Sequence, residues 1–87
     1  MIKTWGQLWR NGKMIASDTC VSEKHDMSDA LQECIEYFGH AFDMEAPMWH
    51  SAHTKQLRDF QKMVFTREDF IDRISFDRFE MQLIERD

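Results

Sequence analysis

Two histidines three residues apart are the best candidates for metal chemistry in this sequence. On a helix, His50 and His53 would lie on the same side. Imidazole is a common zinc ligand, and Asp43, Glu45 or Cys34 could complete a tetrahedral site. A structural zinc site usually has four regularly spaced ligands, and here the spacing does not identify the third and fourth. We therefore predict no metal ligand and no cofactor; instead, His53 packs beneath the helix and His50 caps it or faces water.

The two cysteines are poorly placed for catalysis. Cys34 falls on the apolar side of a predicted helix, and Cys20 falls on a predicted strand. A catalytic thiol needs an exposed turn or a helix N-terminus, with a base within hydrogen-bond distance. The three glycines are scattered and form no phosphate-binding loop. No secretory h-region precedes the cysteines. We predict buried thiols, a cytoplasmic location and no enzymatic activity.

Three basic residues share one side of the second predicted helix and could contact phosphate groups. These are Lys55, Arg58 and Lys62. Tight DNA binding neutralises about six to ten phosphates, and the whole chain has a formal charge of −5. No Lys or Arg occurs between Lys24 and Lys55, so the acidic excess is concentrated there. This distribution disfavours nucleic acid as a partner.

The dipeptide Asn11-Gly12 lies between two strand-like runs and predicts a β-hairpin. Both residues accept positive φ, which favours a type I′ turn. A two-residue loop would place Trp9 opposite Met14, Leu8 opposite Ile15, Trp5 opposite Asp18 and Ile2 opposite Val21. One face would then carry Trp5, Gln7, Trp9, Met14, Ala16 and Asp18, and the other would carry Ile2, Thr4, Gly6, Leu8, Ile15, Ser17, Thr19 and Val21.

The rest of the chain predicts helices followed by one strand. Apolar residues at three- and four-residue spacing over 27–42 predict an amphipathic helix capped by Asp26 or Ser28. A second helix is predicted over about residues 50–62, and residues 66–69 match a capping box that opens a short helix. Alternation over 78–83 predicts a strand. We expect one α+β domain spanning residues 1–87, with a small three-stranded antiparallel sheet and the helices on one face.

Such a sheet leaves one face open. If the helices cover the aliphatic face, Trp5, Trp9 and Met14 lie on the open face beside Arg78. Trp, Met and Arg are enriched where protein interfaces gain most of their energy. Two alternatives remain: the helices cover the Trp face, or residues 43–74 wrap over the open one. An apolar patch that is not covered within the chain would mark a binding site.

The sequence therefore favours a non-catalytic protein-interaction or self-association module. Its candidate interface residues are Trp5, Trp9, Met14 and Arg78, and its partner would be another protein or a second copy of the chain. A metal- or ligand-binding protein using His50 and His53 is the first alternative. Weak nucleic-acid association through the basic residues of the second helix is the other. No apolar run approaches the roughly 20 residues that span a bilayer, so we expect a soluble protein without a membrane partner.

Several loosely spaced aromatic motifs carry a resemblance to known sequences. They are Trp5 to Lys13, Pro47-Met48-Trp49, Phe65-x4-Phe70-Ile71 and Phe76-Asp77-x-Phe79-Glu80. Together they cover most of the chain, which resembles a group of small, uncharacterised bacterial and prophage-type proteins. The resemblance implies no mechanism.

Overall fold

The computed structural model describes all 87 residues and consists of a four-stranded antiparallel sheet with two α-helices on one face. The elements are β1 (Ile2–Arg10), β2 (Lys13–Ser22), α1 (Met27–Ala41), α2 (Ser51–Phe60), β3 (Lys62–Thr66), a 3₁₀ turn (Arg67–Asp69) and β4 (Arg78–Arg86). The strand order is β2-β1-β4-β3, so β1 and β4 are central and the other two are edges. The predicted α+β fold is confirmed.

Helix α1 supplies much of the core. The Asp26 carboxylate caps it by accepting a hydrogen bond from the Asp29 backbone N–H at 3.0 Å. Its buried side chains are Ala30, Leu31, Cys34, Ile35 and Phe38, as the spacing predicted, but Ala41 ends the helix and is exposed. The Phe38 ring lies directly on β1, where a Cβ at Gly6 would come within 2.7 Å of it. Glycine at that position lets the helix approach the sheet closely.

The core lies between the sheet and the helices and is built around three phenylalanine rings. The Phe79 ring centroid lies 5.7 Å from those of Phe38 and Phe65, so one β4 residue joins α1 to β3. Phe70 and Phe76, from the segment that connects the 3₁₀ turn to β4, belong to the same core. Neither helix is long and apolar enough to cross a membrane.

The predicted second helix is shorter than expected, and a fourth strand follows it. Helix α2 ends at Phe60, and Gln61 adopts a left-handed conformation with φ 60°. The five residues of β3 then pair with β4, so the expected three-stranded sheet is wrong. The predicted capping box is present, because the Thr66 backbone N–H donates to the Asp69 carboxylate at 2.9 Å. It opens a single 3₁₀ turn, Arg67–Asp69, rather than the predicted short helix.

The hairpin turn forms as predicted, but the register does not continue as predicted. Asn11 and Gly12 both have positive φ, and Trp9 pairs with Met14. Ile15 is then an extra residue at a β-bulge. The shift pairs Leu8 with Ala16, Trp5 with Thr19 and Ile2 with Ser22, instead of with Ile15, Asp18 and Val21. As a result Asp18 lies on the helix side of β2 and Val21 lies on the opposite side.

Candidate interaction surface on the open sheet face

No element covers the face of the sheet opposite the helices. Phe65 and Phe79 pair on the helix side, where they contact His53 of α2 and Phe38 of α1 respectively. The opposite side, called the open face below, carries Lys3, Trp5, Gln7 and Trp9 of β1, Met14, Ser17, Thr19 and Val21 of β2, Lys62, Val64 and Thr66 of β3, and Arg78, Glu80, Gln82 and Glu85 of β4.

The solvent exposure of side chains on the open face shows whether residues 43–74 cover it. Met14 is 43% exposed and Val21 is 49% exposed, and Thr19 and Gln82 are also exposed. Residues 43–74 therefore do not wrap over the open face. All four candidate interface residues lie on this face.

Trp9 is held in place by its neighbours. Its Nε1–H donates to Gln7 Oε1 at 3.0 Å, and the Arg78 guanidinium lies 4.6 Å from its ring centroid. Met14 and Arg78 flank Trp9 in the register, so the three residues form one row across three strands. Trp9 is half-buried, and its orientation is fixed by a hydrogen bond and a cation–π contact. The second tryptophan, Trp5, is also half-buried on the same strand.

A carboxylate near the centre of the open face binds two cations. Glu80 is 7% exposed, accepts a hydrogen bond from Arg78 Nε and forms an ion pair with Lys62 Nζ at 3.2 Å. Burial acts to raise the pKa of Glu80, but the hydrogen bonds from Arg78 and Lys62 outweigh it and hold the pKa below its ordinary value of 4.5. The charged groups in the middle of this face are therefore already paired within the chain.

The basic stripe predicted on the second helix does not exist. Lys62 lies on β3 rather than on α2, and it binds Glu80. Arg58 lies on α2 near its neighbour Asp59, with Nε 3.4 Å from the carboxylate. Lys55 and Arg58 alone give the helix a weaker basic surface than the sequence suggested.

Both sheet edges have features that discourage pairing with another strand. At the β3 edge, the Val64 backbone N–H donates to the Gln56 side chain of α2 at 2.8 Å. At the β2 edge, the strand carries the bulge at Ile15 and an inward-pointing Asp18, which accepts a hydrogen bond from the Tyr37 hydroxyl at 2.9 Å. Bulges, inward charges and short strands are the means by which proteins protect exposed edges.

One exposed aromatic residue extends the apolar surface beyond the sheet. Phe60, at the end of α2, is 72% exposed. It lines a shallow depression with Lys62 and Val64 of the open face. Phe60 therefore faces solvent, whereas His53 of the same helix is buried.

The two candidate metal-binding histidines hold the start of α2. His50 is the N-cap residue, and its backbone N–H donates to His53 Nδ1 at 2.9 Å. His53 Nε2 therefore carries the ring proton and donates to Asp69 Oδ2 at 3.2 Å. The His53 ring is 3% exposed and stacks on Phe65 with a centroid distance of 4.3 Å. This geometry fits the prediction that His53 packs beneath the helix and His50 caps it, rather than a metal site.

The other predicted metal ligands lie elsewhere. Glu45 accepts hydrogen bonds from the backbone N–H groups of Ile71 and Asp72. Cys34 is buried in α1, and its thiol is free. No group of three or more His, Cys, Asp or Glu residues is arranged to hold a metal ion.

The two thiols are buried, as the sequence predicted. Burial raises the pKa of Cys20 to about 12, and the neighbouring Cys34 thiol adds to the shift. A thiol that stays protonated at neutral pH is a poor nucleophile. The pair therefore contributes to packing between β2 and α1.

No family model, curated protein or solved structure matches this chain. The resemblance to small prophage-type proteins consequently stays a prediction.

Proposed function

We propose that this protein is a non-catalytic interaction module that presents the open face to another polypeptide. The observation that carries the proposal is the row formed by Met14, Trp9 and Arg78 on a sheet face that no other element covers. Residues of these types supply most of the binding energy in protein interfaces, provided that the partner excludes water from them.

The fixed geometry of Trp9 also favours binding. Association costs free energy whenever a mobile side chain must be ordered. The contacts of Trp9 with Gln7 and Arg78 already restrict its ring in the isolated chain. A partner would therefore meet a preorganised aromatic surface, and little further ordering of this side chain would oppose binding.

Two further features support binding through the face rather than catalysis or edge pairing. His53 and the two cysteines, the catalytic candidates weighed from the sequence, are buried, and both ring nitrogens of His53 are hydrogen-bonded within the fold. The outward N–H of Val64 is bound by Gln56, and the bulge at Ile15 interrupts the regular edge of β2, so both edges are less suited to an added strand. The open face is the extended surface that combines aromatic residues with exposed apolar ones.

Site-specific photo-cross-linking in cells that express the protein tests this proposal. A photoreactive residue would replace Gln82, an exposed position on the open face, or Gln32, an exposed position on α1. We expect adducts of higher mass from position 82 and few from position 32. Adding Trp9→Ala should reduce the adducts from position 82. The absence of adducts from position 82, or equal yields from both positions, would contradict the proposal.

A further inference from the structure

We infer that the partner of the open face is a second copy of this chain, bound face to face about a two-fold axis. The inference rests on the proposed function, because it names the occupant of the same surface. In such an isologous dimer each copy uses the same patch, so every group on the open face must tolerate its own counterpart.

Charge distribution selects this face for self-association. The open face carries three cationic side chains, Lys3, Lys62 and Arg78, and two anionic ones, Glu80 and Glu85, which sum to +1. The whole chain has a formal charge of −5, so the remaining surface carries −6. Two copies that met through their helices would bring acidic groups together. Two copies that meet through their open faces keep that excess on the outside.

The central charges are compatible with burial. Glu80 already binds Arg78 and Lys62 in the same chain, so a second copy would cover a connected cluster with a net charge of +1 rather than three isolated ions. Covering an unpaired charge is strongly unfavourable, whereas covering a hydrogen-bonded cluster costs much less. Trp5 and Gln82, which are paired in the register, lie beside this cluster and would face the second copy directly.

The size of the face allows only a weak, transient dimer. The strands β1, β2, β3 and β4 have 9, 10, 5 and 9 residues, and at about 3.3 Å per residue and about 4.8 Å between strands they give a projected area of roughly 520 Å² per copy. The two copies would together bury roughly 1,000 Å², which is below the limit of about 1,200 Å² for standard interfaces and in the range of transient ones. We expect dissociation in the micromolar range, and sedimentation equilibrium from about 1 to 500 µM covers that range.

A pair of matched variants tests the dimer. Gln82→Lys places a new charge near the centre of the open face, where the two-fold axis would bring the two copies of residue 82 together. Gln32→Lys makes the same change on exposed α1. We expect Gln82→Lys to raise the dimer dissociation constant at least about tenfold. Gln32→Lys, which reduces the net negative charge without touching the interface, should leave dimerisation intact. Both should keep the wild-type circular dichroism spectrum.

A cross-linking variant gives a second readout that does not depend on repulsion. Gln82→Cys should form a covalent dimer with a short bis-maleimide, whereas Gln32→Cys should not. The native cysteines are buried and should not react. Monomeric wild-type protein at 500 µM, or equal cross-linking at both positions, would overturn the inference. If a monomeric protein still gave adducts with another polypeptide from position 82 in cells, the proposed function would stand and only the second copy would be wrong.

Discussion

At the scale of single residues, His53 joins three separate segments of the chain. It accepts a hydrogen bond from the His50 backbone, donates one to Asp69 and stacks on Phe65. These contacts tie the N-terminus of α2 to β3 and to the turn that follows β3. Because both ring nitrogens of His53 are hydrogen-bonded within the chain, the spacing of His50 and His53 reflects packing of the fold rather than a metal site.

Replacing His53 should destabilise the domain. In His53→Ala the His50 backbone N–H loses its acceptor, the Asp69 carboxylate keeps the Thr66 N–H but loses the imidazole donor, and a cavity forms above Phe65. We expect a loss of about 2–3 kcal/mol in the free energy of unfolding, measured by urea denaturation. His50→Ala is the control: the His50 side chain is 52% exposed, and its removal should cost less than about 1 kcal/mol. Equal effects of the two variants would contradict this role for His53.

Glu80 should make stability depend on pH in the acid range. The folded state lowers the pKa of Glu80 below 4.5, so the carboxylate stabilises the fold fully above its unfolded pKa. This stabilisation is lost as the pH falls through the lowered folded-state pKa. At pH 7, Glu80→Gln should cost about 1–2 kcal/mol, since Arg78 and Lys62 lose their charged acceptor.

The difference in the free energy of unfolding between wild type and Glu80→Gln should therefore shrink as the pH is lowered below 4.5. Urea denaturation at several pH values measures it. Glu36→Gln, at an exposed position on α1, serves as the control for a general loss of negative charge. A difference that stayed constant from pH 7 to pH 3 would show that pairing of the Glu80 carboxylate does not stabilise the fold.

At the scale of elements, α1 is the helix on which the core depends. Leu31 is 1% exposed and lies between the helix and the sheet. Leu31→Asp would bury a carboxylate without a partner, which costs more free energy than a domain of this size has available. We expect loss of the cooperative thermal transition in circular dichroism. Gln32→Asp adds the same charge at the neighbouring exposed position and should melt cooperatively. A cooperative melt of Leu31→Asp would disprove the central position of α1.

Elements with strong local signals were predictable from the sequence. The hairpin turn follows from Asn11-Gly12, and α1 follows from its cap and its apolar spacing. Strand β3 was not predictable, because the left-handed residue that follows the end of α2 is Gln61, and no glycine or proline marks the stop. The bulge at Ile15 was also missed, since nothing in a run of strand-forming residues indicates where an extra residue will be accommodated.

The candidate surface was predictable only in part, because its position depends on the whole molecule. Alternation along β1 and β4 placed Trp5, Trp9 and Arg78 on one face, and the structure keeps them together. The sequence did not determine which face the helices cover. That choice depends on long-range packing, such as the contact of Phe38 with β1 at Gly6. Lys62 joined the surface only because β3 forms.

At the scale of the whole molecule, the asymmetry of charge gives self-association a distinctive response to salt. Two copies, each with a formal charge of −5, repel one another as they approach. Salt screens that repulsion, and the ion pairs at the proposed interface lie within each chain rather than between chains. The dimer should therefore become tighter as salt is added.

Raising NaCl from about 20 to 500 mM should lower the dimer dissociation constant by at least about twofold in sedimentation equilibrium, because the Debye length falls from roughly 20 Å to under 5 Å. Binding of a single-stranded oligonucleotide to Trp5, Trp9 and Arg78 would respond in the opposite way, since phosphate contacts weaken steeply with salt. Titration of labelled oligothymidine under the same conditions supplies that comparison. A protein that stays monomeric and binds oligothymidine at low salt only would move the open face from protein recognition to nucleic-acid recognition.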